Sequence, residues 1–267
     1  MTIPFIKMHG LGNDFVVFDH RENPLEITPE RAAWLADRRL GVGCDQIVQI
    51  LPPVSDGSLA HGEMRIFNAD GSRAEMCGNA ARCVAQYLRQ KSGLAEDTLT
   101  LQTGAGLIHI ESAAGGMEAV DMGRPGFDKL EEPITTESGS GYRFTELSMG
   151  NPHCVIFVPE LEAFPLASEG PLLERHPRFP NRTNVEFVQV LGPERIRMRV
   201  WERGAGITPA CGTGACAAGV AAMLNGHVGR RVVVVLDGGE LDIVWRSDDH
   251  VVMTGPATTS FFGEINF

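Results

Sequence analysis

Lysine is scarce in this chain of 267 residues: only Lys7, Lys91 and Lys129 occur, and the remaining positive charge is arginine. None of the three sits in a Gly/Ser-rich phosphate-binding context, which argues against pyridoxal chemistry through a Schiff-base lysine, so no cofactor is expected. Basic charge is short overall, with 23 Lys+Arg against 34 Asp+Glu and a net charge of −11. Neither nucleic acid nor an anionic membrane surface is therefore an expected partner. The six cysteines include no C-x-x-C pair, and the eight histidines no H-x-H or H-x-x-x-H spacing. A metal site is not expected, and reduced thiols fit better than a disulfide framework. Long apolar runs are missing too. The longest uncharged stretch with helical character, Thr208 to Leu224, is mostly Ala and Gly and falls short of the roughly 20 residues of a membrane span. The opening MTIPFIKMHG has no basic stretch leading into an apolar segment, so a secretory signal is not expected and a cytoplasmic location is.

What remains is an ordinary globular mixture, 43% hydrophobic and 21% charged. Domains usually hold about 100–200 residues, so there is room for one large or two small ones. An internal repeat favours two. Gly12-Asn13-Asp14-Phe15-Val16-Val17 resembles Gly150-Asn151-Pro152-His153-Cys154-Val155 at an offset of 138, and Cys77-Gly78-Asn79-Ala80-Ala81 resembles Cys211-Gly212-Thr213-Gly214-Ala215 at an offset of 134. Between them, Asp45 to Ile50 resembles Val185 to Val190 at an offset of 140. Three weak matches in one order, at nearly one offset, carry more weight together than any alone.

Each half has the same grammar. β-Branched runs predict strands at Phe15 to Asp19, Ile47 to Leu51 and Met64 to Phe67, and at Cys154 to Val158, Val185 to Leu191, Arg195 to Trp201 and Arg231 to Leu236. Four more are predicted at Leu99 to Gln102, Leu107 to Glu111, Leu241 to Trp245 and Val251 to Thr254. After a Gly-rich turn comes one nearly uncharged helix per half, Asn79 to Arg89 and Thr213 to Leu224. A helix apolar all round is a buried one. The expected fold is α+β: two pseudo-symmetric lobes, each a mixed sheet or barrel around a central helix, facing each other across a cleft. Gly115-Gly116 and Gly123-Arg124-Pro125-Gly126 mark the boundary.

Cys77 and Cys211 fall at the two helix starts, where unpaired N–H groups and the helix dipole favour negative charge. A dipole term of roughly 0.3–2 kcal/mol predicts a thiol about one unit below its usual pKa of about 8.5. Cysteine is more often a buried small hydrophobe, and that reading suits Cys44, Cys83, Cys154 and Cys216. Matching positions in a repeated frame set Cys77 and Cys211 apart. Two thiols approaching one carbon from opposite sides suit proton removal on one face and return on the other, the work of a cofactor-independent racemase or epimerase. The helix-start N–H groups would steady the carbanion beside a carboxylate.

Four stretches, Met8 to Phe15, Asn68 to Ala80, Gly150 to Cys154 and Glu202 to Gly214, resemble the diaminopimelate epimerase family, in family order and over essentially the whole chain. The resemblance implies interconversion of LL-2,6-diaminopimelate and the meso isomer in lysine and peptidoglycan biosynthesis. It implies Cys77 as proton donor and Cys211 as acceptor in one direction, supported by His153 and Glu202. Substrate contacts are implied for Asn13, Gln46, Asn68, Asn151, Asn184 and the Glu202-Arg203 pair, and for the N–H groups of Gly78-Asn79 and Gly212-Thr213. Arg203 offers a fork suited to a distal carboxylate. The lobes are then expected at 1–120 and 121–255, with the terminal strand 256–267 returning to the first. A homodimer is implied as well, although Phe261 and Phe262 stand where the family often has a tyrosine at dimer contacts. The competing enzyme reading is a two-thiol proline racemase or hydroxyproline epimerase.

Overall fold

The computed structural model describes residues 2–23, 25–54, 60–92 and 96–266. The chain divides into two compact units, Met1–Val120 with Gly255–Phe267, and Asp121–Thr254; the expected lobe ends at residues 1 and 267 lie outside the described residues.

In the first unit, β1 (Thr2–Gly10) and β2 (Asn13–Asp19) form a hairpin. Leu11 and Gly12 turn it with φ of 57° and 90°, the left-handed pair that matches strand twist. α1 (Pro29–Ala36), N-capped by Thr28 on the Arg31 N–H, crosses to β3 (Gln46–Leu51), parallel to β2. β4 (Gly62–Asn68) runs antiparallel to β3 and pairs with the short β5 (Arg73–Ala74). Helix α2 (Gly78–Ser92) follows, then β6 (Thr98–Thr103) parallel to β4, then β7 (Gly106–Ala113) and β8 (Met117–Asp121) as antiparallel neighbours.

The second unit repeats this order. β9 (Gly126–Thr135) and β10 (Gly141–Ser148) lead into β11 (Pro152–Phe157), and α3 (Leu166–Glu174) crosses to β12 (Asn184–Gly192), parallel to β11. β13 (Arg195–Glu202) runs antiparallel to β12 and pairs with the short β14 (Gly206–Ile207). After α4 (Gly212–Leu224), β15 (Arg231–Leu236) lies parallel to β13, followed by β16 (Gly239–Trp245) and β17 (Val251–Gly255). The last strand, β18 (Thr258–Asn266), pairs with β1 in the first unit, as β9 pairs with β10 in the second. Both units are thus mixed sheets of one topology.

Helix α4 has no charged residue, and Gly214 to Ala222 are all buried. It packs against β10, β11, β12, β13, β15 and β16, so every face meets a strand. At Gly219 a Cβ would come 3.1 Å from Ile243 Cγ2, so glycine is what lets helix and sheet approach this closely. α2 is less uniform. It is buried from Gly78 to Ala85 but exposed at Gln90 and Lys91. Arg82 is fully buried in it, donating from Nε to the Pro256 carbonyl at 3.2 Å, while Gln86 donates to the Ala257 carbonyl at 2.7 Å. These bonds fasten the C-terminal segment to the first unit. Cys44, Cys83, Cys154 and Cys216 are buried, and burial pushes the thiols of Cys44 and Cys83 up to about 12. Among the described residues no helix is long and apolar enough to cross a membrane.

Candidate active site

The parallel pairings fix how the halves correspond. Phe15 lies opposite Gln46 in one unit and His153 opposite Asn184 in the other. Gln46 therefore matches Asn184, two positions away from the alignment of 45–50 with 185–190, because strand register rather than local similarity sets the equivalence. On the next strand Gln46 faces Asn68, and Val185 faces Trp201, which brings Asn184 level with Glu202. Asn13 with Asn151, Gln46 with Asn184, Asn68 with Glu202, and Cys77 with Cys211 thus occupy matching strand ends and helix starts.

In the first unit Cys77 immediately precedes α2, and its carbonyl accepts the Ala81 N–H at 2.9 Å. Its Sγ lies 4.0 Å from Asn13 Oδ1, which also accepts from Asn79 Nδ2 at 3.1 Å. Asp45 orients that amide by accepting from Asn13 Nδ2 at 2.9 Å. Behind it, Arg38 bridges Asp14 and Asp45, and Lys7 donates to Asp14 and to the Gly43 carbonyl. Burial alone would raise the Asp14 pKa, but the Arg38 and Lys7 contacts bring it down to about 2. Gln46 donates to Asn68 Oδ1 at 2.9 Å, and Asn68 donates to Ser72. The buried Gln46 Oε1 and Asn79 Oδ1 have no hydrogen-bond partner among the described residues. Two idle acceptors in this cluster suit a ligand rich in N–H donors.

In the second unit Cys211 is itself the N-cap of α4, its Sγ accepting the Gly214 N–H at 3.4 Å. Thr213 Oγ1 lies 3.6 Å from that sulfur and accepts from Asn151 Nδ2 at 3.3 Å. His153 is fully buried, with Nε2 3.0 Å from Asn151 Oδ1 and Nδ1 2.7 Å from Glu186 Oε1. Asn184 donates to the Pro152 carbonyl and accepts the Arg203 N–H at 2.9 Å. Glu202 accepts from Thr208 and from the Cys211 thiol, and its pKa is raised, chiefly by burial. Arg203 sits in the turn after β13, exposed, reaching the Asn181 carbonyl at 3.4 Å. It makes no ion pair among the described residues, which leaves its guanidinium available to an anion.

At both helix starts the N–H groups of Gly78-Asn79 and Gly212-Thr213 have no carbonyl one turn back to bond, so they can hold a carboxylate. One expectation fails here. The Cys211 thiol is pushed well up, not down, first by burial and then by the Glu202 and Glu186 carboxylates. A dipole term of roughly 0.3–2 kcal/mol is the weaker effect. The expected residues group as two clusters, one per unit. Sequence reasoning missed Asp45, which aims Asn13, and Glu186, whose signal was a lone acid inside the otherwise apolar run Val185-Glu186-Phe187-Val188. Among the described residues no group of three or more His, Cys, Asp or Glu is arranged to hold a metal ion.

The diaminopimelate epimerase family model matches residues 5–127 and 145–260. A diaminopimelate epimerase of Magnetococcus marinus is 56% identical over 98% of this chain and 96% of its own length. One from Pelotomaculum thermopropionicum is 51% identical over 97% and 98%. Among solved structures, a phenazine biosynthesis protein of the PhzF family from Bacillus anthracis has a TM-score of 0.76 at 16% identity, covering 100% of both chains. A hydroxyproline epimerase from Agrobacterium vitis has a TM-score of 0.72 at 18% identity, covering 99% of this chain and 92% of its own. At such identities the two structures speak for the fold alone, an α+β arrangement of two like halves.

Proposed function

Because the chain belongs to the diaminopimelate epimerase family, we propose that it interconverts LL-2,6-diaminopimelate and meso-diaminopimelate without a cofactor, using Cys77 and Cys211 as a proton-transfer pair. One sulfur, as thiolate, takes the α-proton. The other, as thiol, delivers its proton to the opposite face of the same carbon, and the roles exchange with direction. No bond other than C–H and S–H changes, so charge and atoms balance within the pair. The electron pair left on the α-carbon spreads into the adjacent carboxylate. That carboxylate is held by the N–H groups of Gly78-Asn79 and Gly212-Thr213, which cost no reorganisation as charge develops.

The observation that carries this reading is the repetition of a Cys-Gly helix start in two units of one topology. Asn13, Gln46, Asn68, Asn79, Asn151, Asn184 and Glu202 offer acceptors to the substrate's two ammonium groups, and Arg203 takes the distal carboxylate as a bidentate partner. The product serves lysine and peptidoglycan synthesis in the cytoplasm. The enzyme acts as a homodimer, for which Phe261 and the highly exposed Phe262 on β18 offer an apolar surface.

Inversion of LL-diaminopimelate, L-proline and trans-4-hydroxy-L-proline by the purified enzyme, followed by chiral chromatography, tests the substrate. Diaminopimelate is expected to react at least about 100-fold faster, because a site built for a second charged group rejects substrates lacking it. Faster turnover of either proline would replace this reading with the proline racemase or hydroxyproline epimerase one.

A further inference from the structure

Among the differences between the two matched clusters, three surround Cys211. His153 occupies the strand position that Phe15 holds in the first unit, and Glu202 the position of Asn68. The third is Glu186. It pairs with Val155 across the parallel strands as Val48 pairs with Val17, so its counterpart is a valine. The fold is thus made once without a carboxylate at this position.

Glu186 is fully buried, between Val185 and Phe187 on β12. Its Oε1 meets His153 Nδ1 at 2.7 Å, and its Oε2 has no hydrogen-bond partner among the described residues. A buried carboxylate with one idle oxygen costs stability relative to an apolar side chain of like size. Its position next to the sulfur gives it a use. A Cβ on Gly214 would stand 2.9 Å from Glu186 Oε1 and 3.2 Å from Cys211 Sγ, so carboxylate and sulfur press on the same point of α4.

We propose that Glu186 is a positioning residue: its carboxylate orients His153 and makes Cys211 the proton-holding member of the thiol pair. The inference rests on the two-thiol reading of this site. The titratable groups facing Glu186 are His153 and Cys154 on β11, Glu202 at the end of β13, and Cys211 at the head of α4. Two of the groups beside the sulfur, Glu186 and Glu202, are carboxylates, and carboxylates close to a sulfur disfavour its thiolate. Loss of the Glu186 charge lets Cys211 ionise at lower pH.

The test reads the thiol without substrate, so it stands apart from the substrate assignment. In a Cys77→Ala background, the rate of iodoacetamide labelling of Cys211 is followed against pH by peptide mass mapping. With Glu186 present the midpoint is expected above the roughly 8.5 of an ordinary thiol. Glu186→Gln moves it down by about one unit, a roughly tenfold faster labelling at any pH below the midpoint. Glu186→Asp, which keeps the charge, holds it near the parent value. With Cys77 intact, the alkaline limb of kcat/KM in the direction where Cys211 is the acid moves down in Glu186→Gln, and KM stays within about twofold. A purely structural role would lower the rate without moving either profile. A folded Glu186→Gln enzyme with an unmoved profile overturns the proposal. If that variant does not fold, the parent midpoint decides, and a value at or below about 8.5 overturns it equally.

Discussion

Cys77→Ala and Cys211→Ala are each expected to lower kcat at least about 10³-fold, with the melting temperature little changed. The size follows from the chemistry. A positioned acid or base contributes roughly 10²–10⁴-fold, and a thiol pair acting on one carbon has no step that runs without both members. Neither side chain holds its unit together. Cys77 is partly exposed, and the side chains that Cys211 contacts each keep another partner, Thr213 accepting from Asn151 and Glu202 from Thr208. Assay by NMR of the α-proton with LL-diaminopimelate, beside a thermal melt, separates loss of chemistry from loss of fold. A variant retaining more than about a tenth of the activity would remove that cysteine from the mechanism.

Arg203 variants are expected to fail in binding before chemistry. Its guanidinium is exposed and makes no ion pair among the described residues, while its backbone is pinned by Asn184 Oδ1. A charge-assisted bond to a carboxylate is worth about 1.5–3 kcal/mol. Arg203→Met should therefore raise KM roughly 10- to 100-fold. Arg203→Lys should fall between, since an ammonium keeps the charge but loses the fork. Initial rates across substrate concentration read this directly. An equal fall in kcat with unchanged KM would place Arg203 at the reacting carbon instead.

Much of this organisation was legible in the sequence, and the exceptions have physical reasons. The strands read from β-branched runs, such as β3, β12 and β15, lie within a residue or two of their observed ends. β1 was not predicted, because Pro4, Lys7 and His9 interrupt its apolar pattern. Yet Lys7 is buried there, paired with Asp14. β9 was missed for the opposite reason: it is largely exposed, with no buried face to impose an alternation. α3 was not predicted either, because Gly170 and Pro171 disfavour a helix, and Gly170 is required because Trp201 packs where a Cβ would be. The thiols, the asparagines and the helix starts could be read from motif and repeat. The electrostatics could not, because the upward push on Cys211 comes from burial and from two carboxylates brought in by neighbouring strands. Glu186 reaches the site only through the parallel register of β11 and β12.

The two-thiol mechanism is tested most directly by early turnover in deuterated water. A thiol carries one exchangeable hydrogen, so the sulfur that delivers to the inverted carbon delivers solvent deuterium, while the abstracted proton stays on the other sulfur. In the first few per cent of conversion of LL-diaminopimelate, the meso product is expected to carry deuterium at the inverted carbon. The recovered substrate is expected to carry almost none. Comparable deuterium in recovered substrate and product, or product retaining the original proton, would show a single group serving both faces and would contradict the account.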